Sequence, residues 1–244
     1  MTGKLYIVPT PVGNLSDMSP RAVETLRQAS LILAEDTRTS AVLMKRFDIA
    51  TPMASHHKYN EHQSLDAILD RIEAGESIAL VSDAGTPGIS DPGFMLSREC
   101  RRRGLPVETL PGPTAFVPAL VNSGLPCDKF FFEGFLPPKK GRASRLAFLA
   151  ELPFTFIIYE SPLRLQRTLA QLAEVCGADR PASVSREISK LHDTTHRATL
   201  SELADYFSAN QARGEIVIIV AGKQRPDSEA RRHRNKYKDD VDED

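Results

Sequence analysis

Residues 77–93 read SIALVSDAGTPGISDPG, an apolar strand followed by two turns rich in glycine and proline. In open α/β sheets, ligands bind at the carboxyl ends of the strands, where glycine lets the backbone approach closely. Gly85 and Gly88 allow that approach, and Asp83 or Thr86 can hydrogen-bond a polar ligand. A tight structural turn fits the same residues. This segment alone therefore predicts an α/β fold and leaves the presence of a site open.

Two further loops of the same kind follow predicted strands. They are PTPVGNL at 9–15 and PGPTA at 111–115. None of the three loops is a phosphate-binding GxxxxGK[ST] loop or a dinucleotide-binding GxGxxG loop. If their strands are parallel, all three loops meet at one edge of a sheet. Such a convergence favours a ligand site over three unrelated turns.

The rest of the chain alternates short β-rich runs with amphipathic stretches, which is typical of α/β proteins. Strands are predicted at 4–9, 31–35, 77–82, 107–110, 129–133, 154–160, 182–187, 192–198 and 215–221. Helix starts are predicted at Ser19-Pro20, Asp91-Pro92, Ser161-Pro162 and the capping box that begins at Thr199. The proline-rich segment 111–126 separates an N-terminal α/β domain, 1–115, from a C-terminal α/β domain, 125–223.

Composition excludes several classes of protein. The 244 residues include 31 Lys and Arg against 32 Asp and Glu, so any nucleic-acid binding must come from local basic patches. The apolar runs are too short to span a membrane, no signal peptide is apparent, and three scattered cysteines fit a reducing cytoplasm. The charged segment 224–244 is expected to be a disordered tail.

Charged residues follow two of the predicted strands. Asp36 and Arg38, after Glu35, could contact a substrate, or they could form a pair that caps the next helix. Glu187 and Lys190 could orient a reacting hydroxyl, or they could form an ordinary surface ion pair. No catalytic triad or nucleophile elbow is found, so covalent catalysis has no support.

Two polar loops are further candidates. HHKYNEH at 56–62 lacks the separated ligands of a zinc site, so we predict a substrate-facing loop and no metal, with an ordinary exposed loop as the alternative. The second loop is basic and flanked by glycine and proline, which suits contacts with phosphate. Its cations are Lys139, Lys140, Arg142 and Arg145. The four arginines within 98–103 are interpreted as a solvated helix face.

Seven motifs occur in one order: PTPVGNL, AEDTR, VSDAGTPGISDPG, PGPTA, GFLP with a basic loop, YESP and SREISK. Together they resemble the tetrapyrrole (uroporphyrin-III C/precorrin) methylase superfamily, and in particular its members that act on ribosomal RNA. The resemblance extends over about residues 4–223. It implies a two-domain α/β fold distinct from the Rossmann methyltransferases, with S-adenosylmethionine bound in the cleft between the domains.

The resemblance also implies an activity and its site residues. The implied reaction is 2′-O-methylation of a cytidine ribose in the decoding region of 16S ribosomal RNA, within the small subunit, by a homodimer. A ribose hydroxyl is a poor nucleophile, so our own hypothesis for this chain is that Glu187 or Asp36 helps to remove its proton, with Lys190 or Arg38 stabilising the alkoxide or an adjacent phosphate. RNA contacts would come from His56, His57 and the basic loop. The implied cofactor contacts are Pro11, Val12, Gly13, Ser82, Asp83, Ala84, Gly85, Thr86, Pro113, Thr114 and Ala115 in the first domain, and Tyr159, Ala221 and Gly222 in the second.

Two alternatives stay open. A methylase of tetrapyrrole carbons would keep the fold and would have no use for the basic loop. A ribosome-assembly factor without catalysis would bind RNA with a strong salt dependence and would bind no cofactor. The three intact glycine loops speak against the second alternative.

Overall fold

The structure, a computed structural model, describes residues 3–57 and 61–223, with the backbone alone at Gln63. The predicted tail, 224–244, and residues 58–60 of the histidine-rich loop lie outside the described residues. The chain divides into two compact units. Of the described residues, the first unit takes those up to Ala119 together with Ser185–Thr194, and the second takes Leu120–Val184 and residues 195–223.

The first unit is built on a five-stranded parallel sheet with the order β3-β2-β4-β1-β5. Successive side chains of a strand point to opposite faces, so Ile32 packs into one apolar cluster while Leu31 and Leu33 pack into the other. The strands are β1 (Leu5–Ile7), β2 (Leu31–Ala34), β3 (Met53–Ser55), β4 (Ile78–Val81) and β5 (Val107–Thr109). The helices are α1 (Pro20–Gln28), α2 (Thr37–Arg46), α3 (Glu61–Glu73), α4 (Phe94–Arg102) and α5 (Phe116–Ser123), the last of which contains the division between the units.

Helices cover both faces of this sheet. The apolar cluster on one face includes side chains of α1 and α2, and the cluster on the other includes side chains of α3 and α4. All residues of β2 and β4 are buried, as expected for strands covered on two sides. The helices thus cover the two faces of the sheet and leave the carboxyl ends of its strands open.

The second unit contains a mixed five-stranded sheet with the order β6-β7-β10-β8-β9. β6 runs parallel to β7, and β10 runs antiparallel to β7. The apolar core lies where three helices pack on this sheet. The elements are β6 (Phe130–Phe135), α6 (Arg142–Ala150), β7 (Thr155–Glu160), α7 (Leu165–Cys176), β8 (Pro181–Arg186), β9 (Thr194–Thr199), α8 (Leu200–Ala209) and β10 (Ile216–Val220).

Two of the four predicted helix starts are confirmed. Ser19 caps α1 by accepting a hydrogen bond from the Ala22 N–H, with Pro20 in the first turn. Thr199 and Glu202 form the predicted capping box of α8. In both cases the side chain satisfies a backbone donor that the helix itself leaves free, so the signal is local.

The other two predicted starts are wrong by two to three residues. After Asp91-Pro92 the chain first makes a turn, in which the Gly88 N–H donates to the Pro92 carbonyl, and α4 begins beyond Gly93 at φ +127°. At Ser161-Pro162 the serine hydroxyl accepts from the Leu163 N–H in a turn, and α7 begins at Leu165. Serine and aspartate before proline favour turns as well as caps, and neighbouring packing decides between them.

β3 and α5 were not predicted from the sequence. β3 has three residues, none of them fully buried, so it carries no clear apolar pattern. α5 lies inside the predicted junction 111–126 and contains Pro118, which is tolerated because it stands in the first turn of the helix. The predicted domains, 1–115 and 125–223, also differ from the observed units at Ser185–Thr194, which belongs with the first unit.

In the described part of the chain, no helix is long and apolar enough to cross a membrane.

Candidate active site

Three loops meet at the carboxyl edge of the first sheet. They follow β1, β4 and β5, which are adjacent and parallel in the order β4-β1-β5. The predicted convergence is therefore confirmed. It depends on the parallel strand order, which no single loop reveals.

The loops after β1 and β4 are joined by backbone hydrogen bonds. The Thr10 N–H donates to the Gly85 carbonyl at 2.9 Å, and the Gly85 N–H donates to the Thr10 carbonyl at 3.0 Å. The buried Thr10 hydroxyl donates to the Ser82 carbonyl at 3.1 Å, and the Ser82 hydroxyl donates within its own loop. Gly85 adopts φ +80°, a conformation that side-chain-bearing residues rarely adopt.

The loop after β5 packs against both of the others. The Thr86 hydroxyl donates to the Pro113 carbonyl at 3.0 Å. A Cβ atom at Gly112 would lie 2.6 Å from the Pro9 Cβ, so only glycine permits this approach. Val12 is buried, and its Cγ1 would lie 3.4 Å from a Cβ at Gly85. These contacts hold the loops rigid before any ligand arrives.

The joined loops carry almost no charge. Asp83 is the single ionisable side chain in 9–15, 82–88 and 111–115. It is exposed, and its Oδ1 accepts from the Asp36 N–H at 3.3 Å. Loops with one carboxylate and no basic side chain suit a cationic ligand and suit a phosphate poorly.

A fourth segment of the first unit reaches the loop after β1. A Cβ at Gly13 would lie 2.3 Å from Cγ of Lys190 and 3.1 Å from the Ile188 carbonyl. Lys190 donates to Glu187 Oε1 at 3.0 Å. Glu187 has φ +54° and Ser189 has φ +66°, both strained for residues with side chains. Glu187 and Lys190 were predicted candidates, but no sequence pattern indicated that Lys190 lies beside Gly13.

Asp36 and Arg38 form the capping pair that was one of the two interpretations. Asp36 is the N-cap of α2 and accepts from the Arg38 N–H at 2.8 Å and from the Arg38 guanidinium at 2.7 Å. The side-chain hydrogen bond from Arg38 lowers the pKa of Asp36 to about 2. A carboxyl group with that pKa is a weak base at neutral pH.

The histidine-rich loop is less open than predicted. His56 is buried, its Nδ1 lies 3.3 Å from the Ser64 hydroxyl, and burial lowers its pKa. That position is at odds with the predicted RNA contact of His56, whereas His57 is half-buried. Burial and, secondarily, the charge of Asp83 raise the pKa of Glu35, which directly follows the neighbouring strand β2. In the described residues no group of three or more potential metal ligands is found.

The four cations of the basic loop are not equivalent. Lys139 and Lys140 are exposed. Arg142 is 6% exposed and hydrogen-bonded to Thr168 at 2.7 Å, which is at odds with the predicted RNA contact. Arg145 pairs with Glu133 at 2.6 Å. The sequence shows four positive charges, and the packing of the second unit decides which of them face solvent.

Three predicted cofactor residues lie in the second unit. Tyr159 is half-buried, with its ring edge-on to Phe132 at a centroid distance of 5.2 Å. The Ala221 N–H donates to the Pro181 carbonyl. A Cβ at Gly222 would lie 2.5 Å from the Pro153 carbonyl, so this glycine has a packing role of its own.

A cavity of about 840 Å³ in the first unit is lined by the loops after β1 and β4 and by α2. The residues contributed by α2 and the turn after it were not predicted. They are Thr39, Ser40, Val42, Leu43, Lys45, Arg46 and Asp48. Their one sequence signal is the spacing of 39, 42, 43 and 46, which places four residues on one face of a helix.

Comparison with known proteins identifies similar sequences over most of the chain. Residues 4–204 match the tetrapyrrole (corrin/porphyrin) methylases. A Pseudomonas aeruginosa protein named ribosomal RNA small subunit methyltransferase I is 48% identical over 93% of this chain and 82% of its own length. Proteins of the same name are 47% identical in Synechocystis, over 90% and 79%, and 43% identical in Thermotoga maritima, over 91% and 100%.

Solved structures share the fold at low sequence identity. Cobalt precorrin-4 methyltransferase superposes with a TM-score of 0.67 at 19% identity, over 89% of this chain and 94% of the other. Uroporphyrin-III C-methyltransferase from Thermus thermophilus, crystallised with S-adenosyl homocysteine, gives 0.63 at 20% identity, over 90% and 97%. Diphthine synthase gives 0.71 at 12% identity, over 91% of each chain. The predicted two-domain α/β fold is thereby confirmed.

Proposed function

The chain belongs to the tetrapyrrole (corrin/porphyrin) methylases and, within them, to the ribosomal RNA small subunit methyltransferase I group, and we propose that it methylates the ribose 2′-hydroxyl of a cytidine in the decoding region of 16S ribosomal RNA. The methyl donor is S-adenosylmethionine, and the protein acts in the cytoplasm as a homodimer on the small subunit. The observation that carries the proposal is the set of three joined loops with one acidic side chain, in a chain 43–48% identical to ribosomal RNA methyltransferases.

The joined loops fit this cofactor. S-adenosylmethionine supplies a methyl group on a sulfonium cation, and transfer to the 2′ oxygen leaves S-adenosylhomocysteine and one proton. The loops offer the carboxylate of Asp83 and no cation, so they favour a positive ligand. Their rigidity supplies alignment, which is the main contribution a protein makes to a direct transfer. In this proposal the first unit holds the cofactor with residues 11–13, 82–86 and 113–115. The contacts of Tyr159, Ala221 and Gly222 stay predictions from the family resemblance.

Glu187 and Lys190 are the favoured partners of the reacting hydroxyl. Lys190 packs on Gly13 of a cofactor loop, and its ammonium is 3.0 Å from Glu187. In this role Glu187 accepts the hydroxyl proton while Lys190 stabilises the developing negative charge on the 2′ oxygen. Asp36 and Arg38 are less suited, because Asp36 is engaged in capping α2 and has a pKa of about 2.

Lys139 and Lys140 serve as phosphate contacts of the proposed RNA site. Both are exposed, whereas Arg142 and Arg145 are held by partners within the second unit. Phosphate contacts add affinity and orientation without reading sequence. His57, half-buried at the open edge of the first sheet, is the other retained RNA contact.

The test is methyl transfer to small ribosomal subunits from cells that lack the modification. The purified protein is incubated with methyl-labelled S-adenosylmethionine, and the label is mapped on the RNA. Label on one cytidine ribose supports the proposal. Label on a corrinoid or porphyrin precursor instead of RNA selects the tetrapyrrole alternative, and RNA binding without cofactor binding selects the assembly factor.

The role of Glu187 has its own test. Glu187→Gln keeps the size of the side chain and removes the base, so turnover should fall while the dissociation constant of the cofactor stays the same. Asp36→Asn keeps a capping side chain, and turnover should change little. If Asp36→Asn abolishes turnover and Glu187→Gln does not, Asp36 is the base that accepts the hydroxyl proton and Glu187 is not.

A further inference from the structure

The cavity of about 840 Å³ combines three kinds of surface within the first unit. Thr10, Gly13 and Asp83 of the cofactor loops line one part of it. Val42 and Leu43 contribute apolar side chains, and Lys45 and Arg46 contribute cations from the last turn of α2. A ligand that fills it therefore meets polar, apolar and cationic surface together.

One face of α2 forms a second part of the cavity lining. Thr39, Val42, Leu43 and Arg46 are spaced i, i+3, i+4 and i+7, so their side chains share a face. Val42 is 72% exposed, which is high for an apolar residue lining a cavity. Apolar side chains that line a concave pocket are typical of ligand sites.

The cations at the end of α2 are available for a ligand. Lys45 and Arg46 are exposed, and within the described residues neither side chain forms an ion pair, unlike Arg71 and Arg103 of the same unit. The C-terminal end of a helix favours cations, which accounts for their presence there but not for their position in a cavity. Asp48 also lines the cavity, so the cationic part carries a net charge of about +1 by formal counting.

The length of α2 limits how long a stretch of ligand this helix can contact. From its N-cap Asp36, whose N–H donates to Asp83, to Arg46 the helix rises about 15 Å at 1.5 Å per residue. Bases along one strand are about 3.4 Å apart when stacked, so a helix of this length can contact one nucleotide together with its flanking phosphates. A ligand of this kind carries a flat base, a sugar and phosphates.

We propose that this cavity is the binding site for the target nucleotide of the RNA, with its base against Val42 and Leu43 and its flanking phosphates on Lys45 and Arg46. This inference rests on the proposed function. It places the ribose at the end of the cavity shared with Thr10, Gly13 and Asp83, where the acceptor hydroxyl meets the proposed cofactor loops. The cationic end suits phosphate and would repel the sulfonium and ammonium groups of the cofactor, so RNA is favoured over cofactor as the occupant.

The double variant Lys45→Ala/Arg46→Ala tests the phosphate contacts. Each contact on a single strand contributes about 0.7 to the slope of log affinity against log salt, so two lost contacts lower the slope by about 1.4 and weaken binding about 25-fold at 0.1 M salt. We expect KM for unmodified small subunits to rise by that factor, with the dissociation constant of S-adenosylmethionine unchanged. The matched control is Arg101→Ala/Arg102→Ala, which removes two charges from the last turn of α4.

The variant Val42→Trp tests which ligand fills the cavity. A larger side chain at this position should abolish methylation of subunits and leave the calorimetric affinity for S-adenosylmethionine unchanged. Loss of cofactor affinity in Val42→Trp would overturn the inference, because the cofactor would then be the occupant.

Failure of the proposed function is distinguishable from failure of the inference. If the unaltered protein methylates RNA and Lys45→Ala/Arg46→Ala behaves like the α4 control, only the assignment of the cavity is overturned. If the unaltered protein methylates no RNA, the proposed function fails and the inference fails with it.

Discussion

Replacement of Arg142 by alanine should destabilise the second unit and should not specifically weaken the binding of RNA. The guanidinium donates to Gln171 Oε1 at 2.8 Å, to the Pro137 carbonyl at 3.2 Å and to the Thr168 hydroxyl at 2.7 Å. It also lies 3.9 Å from the buried carboxylate of Glu160. Arg142 therefore connects α6 to α7 and to the end of β7, and it is not available to a phosphate.

The size of the effect follows from these contacts. Hydrogen bonds that involve a charged group contribute about 1.5–3 kcal/mol each, and removal of one partner of a buried ion pair costs about 3–5 kcal/mol. Glu160 keeps hydrogen bonds from Arg164 and Thr168, each at 2.7 Å, so the cost should lie near the lower limit, about 3 kcal/mol. At about 2–4 °C per kcal/mol, the melting temperature should fall by about 6–12 °C.

Differential scanning calorimetry measures the loss, and two variants serve as controls. Arg142→Lys keeps the charge but not the planar fork of donors, so it should recover part of the stability. Lys139→Ala/Lys140→Ala should change the unfolding free energy by no more than about 0.5 kcal/mol, because both side chains are exposed, and should weaken RNA binding. The reasoning is refuted if Arg142→Ala melts like the unaltered protein and loses RNA affinity as the lysine variant does.

Three further outcomes are expected. In Gly13→Ala the new Cβ would lie 2.3 Å from Lys190 Cγ, and such overpacking costs about 1–3 kcal/mol. Calorimetry should therefore show a dissociation constant of S-adenosylmethionine that is about tenfold higher. Gly104→Ala, with no neighbour within 4 Å of the added Cβ, should leave that constant unchanged. The pKa of Asp36, about 2, lies below the ordinary value of about 3.9, so its stabilising effect is present above pH 4 and is lost as the pH falls towards 2. In urea titrations over that pH range, the unfolding free energy of Asp36→Asn should therefore fall less than that of the unaltered protein. Burial raises the pKa of Glu35, so its ionised form destabilises the fold at neutral pH, and Glu35→Gln should raise the melting temperature at pH 7 with a gain that disappears below about pH 4.

Local sequence was sufficient for most of the elements. The apolar run 78–81 and the Gly/Pro loop after it predicted a strand of an α/β sheet, and Ser19 and Thr199 predicted helix starts that the structure confirms. These signals work because a cap or a strand satisfies its backbone from residues a few positions away. β3 was missed and the start of α7 was misplaced, because both depend on packing against residues far along the chain.

Sequence patterns were enough to predict the family, the two α/β halves and the three loops that form the candidate cofactor site. The exposure of the basic segment and the neighbours of the loops follow from the folded chain alone. The tertiary structure buried Arg142 against Thr168, 26 residues away, and it set Lys190 against Gly13. It also combined one face of α2 with the loops after β1 and β4 into a single cavity. Exposure and distance between remote residues arise from packing of whole elements, so no local pattern encodes them.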